Sequence, residues 1–575
     1  MSKDNNIRIK VVFGCVLFVA FVLIFRLYSL QIINGQEYMD AAEKKYVTKV
    51  PNVFNRGSIS FTTKDGEKID AATIQTGYTV SFNPSLITEP ADVYNKLSFV
   101  LDVDAETFTE RFERPDSRYA EVEKKLDQET ADKILDLKIK GVGINKERWR
   151  FYPGKNLASN VIGFMGWKDE IYKGQYGLER QYEDLLNRNK EDNYENFFVE
   201  IFSGIGDAFK GRDSDGSIVT TIEPTVQSFV EEELQETQAK WNSKTVGAIV
   251  MDPYTGEIIS MASYPTFDLN NFREVDDVSI FNNPMVEDVY EMGSIVKPLT
   301  MAIGLETKAV TAKTQYEDTG SLTLNGFTIR NYDKKARGVV TMQDVLNKSL
   351  NTGVAFVVNK VGNQIFVDYL KKLVAEKTGI DLPNEAHPLI ENLKNNRDIE
   401  YVSASYGQGI AVSPISITRA LATLGNGGFL VTPHLVKEIK YESGLTKKVS
   451  PEVGERIFSQ GTSEEISRML TNVVDEALAG GEVALPNHSI AAKTGTAQIA
   501  VKGGRGYYDD RFLHSFFGYF PSFNPRFIVF IYHTEPTGAD YSSQTLTEPF
   551  MDITKFLINY YEIPPDRQLN DKGNI

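Results

Sequence analysis

The chain has 575 residues, of which 41% are hydrophobic and 24% charged, a composition typical of folded globular domains and not of disordered or fibrous chains. Its 62 Lys and Arg against 78 Asp and Glu give a net charge of −16, which argues against a nucleic-acid-coating protein because phosphate binding requires a basic face. Cys15 is the only cysteine and no two of the five histidines form a close ligand pair. These counts exclude an intramolecular disulfide and disfavour a metal site.

The N-terminus carries a long apolar segment. Residues 11–25 contain no charge, and the apolar run resumes after Arg26. About 20 residues cross a bilayer, and the basic residues that precede the run indicate a cytoplasmic N-terminus. We therefore expect a cytoplasmic tail over residues 1–10 and a single transmembrane anchor over residues 11–33. A cleaved signal peptide is the main alternative, although no small-x-small cleavage site follows the run, and a buried helix of a soluble domain is the other.

Residues 34–216 are predicted to form a first domain of mixed α/β structure. The pattern favours a strand over residues 77–82 and a charged helix over residues 120–137. Polar and glycine-rich stretches over residues 187–196 and 204–216 are typical of loops. We place the domain boundary near residue 216.

Residues 217–565 are predicted to form a larger second domain, followed by a tail over residues 566–575. Two apolar runs joined by Asp-Pro-Tyr-Thr-Gly (252–256) indicate a β-hairpin over residues 246–262. The other predicted elements are strands over residues 218–222 and 527–532 and helices over residues 224–234, 341–361 and 415–424.

Ser294 and Lys297 form the first of three motifs that suggest chemistry. Residues three apart on a helix lie on one face, so the lysine amine can reach the serine hydroxyl. Serine is a weak nucleophile that needs a base, and a lysine can serve when burial or a second cation keeps it neutral. Ser-x-x-Lys pairs are common on exposed helices, but this chain contains no second one.

The second motif is Ser349-Leu350-Asn351, 55 residues after Ser294. It falls in the helix predicted over residues 341–361, whose start is marked by a capping-box spacing of Thr341 and Asp344. The Ser-x-Asn pattern also occurs at residues 81–83 and 522–524, but both copies precede a proline and are typical of turns.

The third motif is Lys493-Thr494-Gly495-Thr496, which follows a strand-like run of small and apolar residues. A glycine in a strand lets a ligand backbone approach closely, while the lysine and the threonine hydroxyls suit a substrate carboxylate. A second Lys-Thr-Gly at residues 377–379 continues into a proline-containing acidic stretch, which indicates a structural loop.

Together the three motifs are similar to the Ser-x-x-Lys, Ser-x-Asn and Lys-Thr-Gly set of serine β-lactamases and penicillin-binding proteins. Along nearly its whole length the chain resembles class B penicillin-binding proteins, the monofunctional peptidoglycan D,D-transpeptidases. It departs from their pattern at Met292, where proline is usual, and at Ala492, where glycine is frequent. Further similar stretches lie at residues 56–59, 65–66, 150–153, 177–179, 221–222, 406–409 and 515–518.

The resemblance implies an α+β protein in three parts. A single transmembrane helix would carry an elongated mixed α/β pedestal of the dimerisation type over residues 34–216. The transpeptidase domain would follow over residues 217–565, with a serine β-lactamase-like antiparallel sheet flanked by helices. The catalytic part would lie outside the cytoplasm, attached to the bacterial cell membrane.

The resemblance also implies the catalytic roles. Ser294 would form an acyl-enzyme on a D-Ala-D-Ala stem peptide, with Lys297 as the base, kept neutral by burial and by Lys493. Ser349 and Asn351 would relay a proton and hold the substrate amide. No metal or cofactor is implied.

The substrate-binding roles fall on the third motif. Lys493, Thr494, Gly495 and Thr496 would bind the terminal carboxylate of the substrate. The backbone amides of Ser294 and Thr496 would form the oxyanion hole, a major part of acyl-transfer catalysis.

The implied partners are peptidoglycan stem peptides as donor and acceptor, penicillin and other β-lactams, a membrane glycan polymerase, and proteins of a division or elongation complex. The sequence does not distinguish a role in septal wall synthesis from one in lateral wall synthesis. The alternative functions are a membrane-bound β-lactamase or D,D-carboxypeptidase, and a non-enzymatic penicillin sensor or division scaffold.

Overall fold

The computed structural model describes residues 54–112, 119–169, 171–188, 215–504 and 506–567. The predicted anchor over residues 11–33 lies outside the described residues, as do most of the two predicted loops and most of the predicted C-terminal tail. Among the described residues, no helix combines the length and the apolar character that crossing a membrane requires.

The described chain divides into two compact units. The smaller unit contains Gln75–Trp149 with the residues before Arg56, and the larger contains Arg56–Ile74 with the residues from Arg150 onward. Helices and strands alternate in both units, so the mixed α/β, two-domain organisation is confirmed. The domain boundaries given above stay predictions.

The strands of the described chain are numbered in chain order. They are β1 (Ile59–Thr62), β2 (Lys68–Phe82), β3 (Ala120–Leu126), β4 (Val142–Phe151), β5 (Met165–Lys168), β6 (Ile171–Gly174), β7 (Gly216–Thr220), β8 (Thr245–Met251), β9 (Ile258–Tyr264), β10 (Gln315–Asp318), β11 (Ser321–Leu324), β12 (Phe327–Arg330), β13 (Gly338–Thr341), β14 (Val436–Tyr441), β15 (Thr446–Lys448), β16 (Ala491–Ala500), β17 (Tyr507–Phe520) and β18 (Phe527–Thr534).

The α-helices are numbered in the same way. They are α1 (Pro90–Ser98), α2 (Ala105–Phe112), α3 (Gln128–Asp136), α4 (Ser159–Ile162), α5 (Gly177–Gln181), α6 (Glu183–Leu186), α7 (Pro224–Trp241), α8 (Lys297–Glu306), α9 (Met342–Asn347), α10 (Asn351–Val361), α11 (Asn363–Val374), α12 (Asp398–Ala404), α13 (Pro414–Ala422), α14 (Gln460–Asn472), α15 (Ser542–Thr545) and α16 (Thr547–Tyr560).

In the smaller unit, the single helix predicted over residues 120–137 is wrong. The segment forms β3, which pairs antiparallel with the end of β2, and then the separate helix α3. Val122 is buried between partly and fully exposed neighbours, so a charged sequence with one inward apolar residue serves as an edge strand. Asp127 begins α3, because its carboxylate accepts a hydrogen bond from the Thr130 amide, as an N-cap residue does.

The larger unit contains a five-stranded antiparallel sheet in the order β16-β17-β18-β8-β9. Every residue of β18 is buried, because both faces of the sheet are covered. Ile528 and Phe530 belong to the core on one face, and Val529 and Ile531 to the core on the other. The predicted strand over residues 527–532 is confirmed and extends to Thr534.

Helices α7 and α16 pack on the second of these faces, where their apolar side chains join residues of β8, β17 and β18. The predicted start of α7 is confirmed: Glu223 accepts the Val226 amide as an N-cap and Pro224 occupies the first turn. The helix continues past the predicted end to Trp241, since Val230, Leu234 and Thr237 keep one side buried.

The predicted hairpin over residues 246–262 is confirmed as β8 and β9. The turn ends at Gly256, whose φ is +79° and whose added Cβ would lie 2.4 Å from the Thr432 carbonyl oxygen. A glycine is needed here for both reasons. The helix predicted over residues 415–424 is confirmed as α13.

Candidate active site

Ser294 lies on a 3₁₀ turn, Gly293–Val296, that leads directly into α8. This arrangement leaves Ser294 partly exposed, while Lys297, one turn later, is only 1% exposed. Gly293 has a φ of +65°, and an added Cβ would lie 2.7 Å from the Thr496 carbonyl oxygen. The glycine therefore lets the serine turn pack directly against the strand of the third motif.

The stretch over residues 406–409 supports the serine turn from another side. The Gly293 amide donates to the Gly407 carbonyl oxygen at 3.1 Å. Gly407 has a φ of +77°, and an added Cβ would lie 2.3 Å from the Gly293 carbonyl oxygen. The two backbones are in contact, so Gly407 determines where the serine turn lies.

Ser349 does not lie within a helix, and the continuous helix predicted over residues 341–361 is wrong. The capping box of Thr341 and Asp344 is confirmed at the start of α9, but α9 ends at Asn347 and α10 begins at Asn351. Between them Ser349 has a φ of +51°. Lys297 Nζ donates to the Ser349 carbonyl oxygen at 2.6 Å and to Ser349 Oγ at 3.0 Å.

Asn351, the third residue of the second motif, opens α10 and is held by β12. Its Nδ2 donates to the Arg330 carbonyl oxygen at 2.8 Å. This bond orients the side-chain amide and leaves its oxygen available as an acceptor. The structure thus brings β12, which the sequence did not indicate as part of the site, next to the second motif.

Lys493, Thr494, Gly495 and Thr496 lie on β16, the edge strand of the central sheet. Lys493 is 4% exposed and its Nζ donates to the Thr494 carbonyl oxygen at 3.1 Å. An added Cβ on Gly495 would lie 2.8 Å from the Met292 carbonyl oxygen. Gly495 therefore packs against the serine turn, and its role in the approach of a ligand backbone stays a prediction.

Thr496 is fixed from outside its own strand. The Ser542 amide donates to Thr496 Oγ1 at 3.1 Å, and the Thr496 hydroxyl donates to Ser542 Oγ at 3.4 Å. The hydroxyl can exchange this long bond for a stronger one to an anionic group. No local pattern in the sequence links residues 496 and 542.

Burial lowers the pKa of Lys297 well below the ordinary lysine value, and the charge of Lys493 lowers it further. Burial also lowers the pKa of Lys493, to about 8. These directions follow from desolvation, which disfavours a charged amine, and from repulsion between like charges. The pair therefore supports a neutral Lys297 beside a charged Lys493 near neutral pH.

The three motifs line one cavity of about 920 Å³, together with residues that the sequence analysis did not single out. Gly495 is the one predicted site residue outside this lining. Ser294, Lys297, Ser349, Asn351, Lys493, Thr494 and Thr496 are the predicted residues that line it. The additional lining residues include Phe327, Arg330, Tyr332, Ser403, Gln498, Tyr507, Asp540, Tyr541, Ser542 and Ser543.

The second Lys-Thr-Gly, at residues 377–379, lies in a loop that follows α11 and does not line the cavity. The Thr378 and Gly379 amides donate to the Glu385 carboxylate at 2.6 and 3.2 Å. This copy is structural, as its acidic and proline-containing context indicates.

Comparison with known proteins gives the family. The profile described as the penicillin binding protein transpeptidase domain matches residues 246–555, and that of the penicillin-binding protein dimerisation domain matches residues 55–195. The first match alone covers more than half of the chain. The chain therefore belongs to the penicillin-binding protein transpeptidase family.

Three similar proteins illustrate the range of the family. Stage V sporulation protein D of Bacillus subtilis is 29% identical over 566 residues, covering 96% of this chain and 85% of that protein. The peptidoglycan D,D-transpeptidase FtsI of Buchnera aphidicola is 26% identical over 590 residues, covering 99% of this chain and 98% of that protein. The crystal structure of penicillin binding protein 3 of Mycobacterium tuberculosis with aztreonam superposes with a TM-score of 0.67 at 22% identity. The match covers 90% of this chain and 98% of that one.

Proposed function

We propose that this protein is a peptidoglycan D,D-transpeptidase that cross-links stem peptides in bacterial cell-wall synthesis. The observation that carries the proposal is the buried Lys297 amine, which is hydrogen-bonded to Ser349 and lies one turn from Ser294 in a cavity that also contains Lys493. A desolvated lysine beside a second cation can serve as the base that activates a serine nucleophile.

Acylation begins at Ser294. Neutral Lys297 takes the proton of the serine hydroxyl as Oγ attacks the carbonyl of the penultimate D-Ala. The oxyanion forms between the backbone amides of Ser294 and Thr496, whose backbones are held together by the packing of Gly293. The peptide bond then breaks, and the leaving D-Ala nitrogen receives a proton through Ser349, whose hydroxyl lies 3.0 Å from Lys297 Nζ.

The terminal carboxylate of the donor is bound by Lys493, Thr494 and Thr496. The cation supplies charge, and the Thr496 hydroxyl, which accepts from the Ser542 amide and donates to Ser542 Oγ at 3.4 Å, would turn its proton to the carboxylate. Asn351, oriented by its bond to the Arg330 carbonyl oxygen, holds the amide of the donor. Charge-assisted hydrogen bonds of this kind are stronger than neutral ones.

The relatives support this function and the binding of β-lactams. The Buchnera protein is named as a peptidoglycan D,D-transpeptidase, and the mycobacterial structure contains aztreonam in that protein. A β-lactam carries a carboxylate and an activated amide, so it would acylate Ser294 in place of a stem peptide. Penicillin is accordingly proposed as a covalent inhibitor of this chain.

The N-terminal segment supports a location at the membrane. We infer a single-pass anchor over residues 11–33 with its N-terminus in the cytoplasm, because the segment is uncharged over residues 11–25 and preceded by basic residues. Residues 34–216 would then form the pedestal, and residues 217–565 the catalytic domain outside the cytoplasm. This arrangement would suit partnership with a membrane glycan polymerase and with division or elongation proteins.

The test is labelling of the full-length protein in detergent with a fluorescent penicillin. Acylation is expected at Ser294, and Ser294→Ala should abolish labelling while leaving the melting temperature nearly unchanged. Ser522→Ala is the control, because Ser522 begins another Ser-x-Asn sequence and lies outside the cavity lining, so its removal should leave labelling unchanged. A label mapped to any other serine, or labelling that survives Ser294→Ala, would overturn the proposal.

A further inference from the structure

More positively than negatively charged side chains line the cavity. Lys297, Lys348, Lys493 and Arg330 line it, whereas Asp540 is its only carboxylate among the described residues. Lys348 is paired with Asp344 at 3.0 Å, and Lys297 is buried and hydrogen-bonded to Ser349. The remaining cations, Arg330 and Lys493, suit an anionic donor peptide. The one carboxylate, that of Asp540, suits a cationic ligand group instead.

Asp540 is held in place by the segment that follows it. Gln544 Oε1 accepts from the Asp540 and Tyr541 amides, at 3.2 Å in both cases. Two residues after Asp540, Ser542 is bonded to Thr496. The segment is thereby attached to the end of the third motif, so that Asp540 occupies a fixed position at the rim of the cavity.

Buried histidines fix the far end of the same segment. Thr545 Oγ1 lies 2.9 Å from His514 Nδ1 and 2.9 Å from His533 Nε2, and both rings are fully buried. His514 is the residue opposite Thr496 in the sheet. The segment over residues 540–545 is therefore tied to the central sheet at both ends.

The Asp540 side chain is available for a ligand. It is exposed and forms no ion pair with any residue that the structure describes. In contrast, Glu535, a few residues earlier, lies 3.7 Å from Lys244 Nζ and 3.5 Å from Arg511 Nη1. The carboxylate at the rim therefore has no cationic side-chain partner among the described residues.

We propose that Asp540 binds the ammonium group of the acceptor peptide and guides it to the acyl-enzyme. This inference rests on the proposed transpeptidase function and names the recognition element for its second substrate. A primary amine is positively charged near neutral pH and is repelled by Arg330 and Lys493. A carboxylate at the rim offsets this repulsion and raises the local concentration of the amine, as charges at a cleft entrance do.

The transfer step balances without another reactant. The ammonium leaves Asp540 and gives its proton to Lys297, either directly or through Ser349. The amine nitrogen attacks the acyl carbonyl, a C–N bond forms and the bond from carbon to Ser294 Oγ breaks. A second proton from the nitrogen returns to Ser294 Oγ, and Lys297 releases the proton that it took from the ammonium to solvent, so the serine hydroxyl and the neutral lysine are both restored.

The experiment compares two acceptors with the full-length enzyme and an acylated D-alanyl thioester as the donor. One acceptor is a peptide with a lysine side chain, which is cationic at pH 7.5, and the other is hydroxylamine, which is uncharged there. Asp540→Asn should raise the KM for the lysine acceptor roughly fivefold, the largest effect typical of an exposed ion pair. Transfer to hydroxylamine and acylation by the thioester should not change.

Two further variants sharpen the result. Asp540→Glu should restore most of the lysine transfer, because it keeps the charge. Asp509→Asn is the matched control, since Asp509 is an exposed carboxylate of β17 that does not line the cavity, and it should behave as the wild type. The effect of Asp540→Asn should also decrease with added salt, because salt screens exposed charges.

The outcomes separate this inference from the function on which it rests. Equal losses with lysine and hydroxylamine, or a change in thioester acylation alone, would show that Asp540 acts on the fold or the donor and would overturn the inference. An unchanged KM for lysine would also overturn it. If the wild-type enzyme is not acylated at Ser294 at all, the proposed transpeptidase function itself fails.

Discussion

The Lys297 amine contacts the Ser349 carbonyl oxygen at 2.6 Å and the Ser349 hydroxyl at 3.0 Å. A residue inside an α-helix directs its carbonyl along the helix axis and cannot present both oxygens to one amine. Ser349 can do so because the chain leaves the helix between α9 and α10 and adopts a φ of +51°. The bonds satisfy a buried amine that is 1% exposed, which a buried polar group requires.

The first prediction concerns the pH dependence of acylation. In the proposed mechanism the reaction requires neutral Lys297 and charged Lys493, and burial lowers the pKa of Lys297 well below its ordinary value and that of Lys493 to about 8. The rate should therefore reach its plateau below pH 8, then fall as pH rises through about 8 and Lys493 loses its charge. The measurement is the second-order rate constant of penicillin acylation between pH 5 and pH 10, a range that includes both the plateau and the fall near pH 8.

The control for this profile is Lys493→Arg. Arginine stays charged at all these values of pH, so the descending limb should move to higher pH even if the plateau is lower. A wild-type rate that stays constant from pH 7 to pH 10 would contradict the role of Lys493 as a titrating carboxylate ligand.

The second prediction concerns Gly407. In Gly407→Ala the new Cβ would meet the Gly293 carbonyl oxygen, which lies 2.3 Å from its ideal position, and would displace the turn that carries Ser294. Small displacements of a reacting group reduce rates by about 100-fold, so acylation by penicillin should fall by about that factor. Stopped-flow measurement of the acylation rate tests this.

Gly444→Ala separates displacement from backbone strain. Gly444 also has a positive φ, +87°, but an added Cβ meets no atom within 4 Å. Backbone strain should cost each variant about 1 kcal/mol of stability, the clash adds to this loss in Gly407→Ala, and only Gly407→Ala should lose acylation. Equal acylation rates in the two variants would rule out the proposed support of the serine turn.

The third prediction concerns a buried ion network in the larger unit. Glu179 is fully buried and accepts from Arg150 Nε at 2.6 Å and from Arg56 Nε at 2.7 Å. Tyr152 also donates to the same carboxylate at 3.2 Å. Removing the charge in Glu179→Gln leaves the buried Arg150 without an anionic partner among the described residues, while Arg56 keeps Glu183 at 2.8 Å. Breaking a buried pair destabilises proteins by about 3–5 kcal/mol.

Chemical denaturation of Glu179→Gln should show this loss in the free energy of unfolding. Glu465→Gln is the control, because Glu465 pairs with Arg468 on an exposed helical surface, where an ion pair contributes about 0.5 kcal/mol. A loss below about 1 kcal/mol for Glu179→Gln would mean that the network contributes little to stability.

The residues chosen from the sequence line one cavity, Gly495 excepted, but part of their local structure was missed. Their catalytic roles stay predictions. Ser294 and Lys297 are close because three residues make one turn, whether 3₁₀ or α, and the strand context distinguished Lys493 from the copy at residue 377. The break at Ser349 was missed because residues 341–350 contain no glycine or proline to mark it. Contact with a buried lysine 52 residues away stabilises it.

Long-range contacts explain the other omissions. Ser542 supports Thr496 across 46 residues of sequence, and the Arg330 carbonyl oxygen orients Asn351 through a backbone atom that any residue would supply. Neither relationship leaves a pattern that one sequence can reveal. The strand β3 was missed for a local reason, because its charged residues suit an exposed helix as well as an edge strand.

The last prediction is that the penicillin adduct is long-lived. Hydrolysis of the acyl-enzyme needs a base that activates water, such as the glutamate of some β-lactamases. Glu291 is close to the serine in sequence, but burial raises its pKa to about 7, its Oε1 accepts from the Tyr507 hydroxyl at 3.2 Å, and it does not line the cavity. The other two acidic residues nearest the motifs, Asp344 and Glu482, also lie outside the lining.

Asp540 is then the carboxylate to test as a water-activating base, since it lines the described cavity. If Asp540 only binds an ammonium group, Asp540→Asn should not lengthen the lifetime of the adduct. The measurement is release of labelled penicillin from the full-length wild type and from Asp540→Asn after excess drug is removed. Retention over many minutes in both proteins is expected, because the acyl-enzyme must wait for an amine. Turnover of the wild type within seconds, with hydrolysed drug accumulating and with release slowed in Asp540→Asn, would instead identify a β-lactamase with Asp540 as its base.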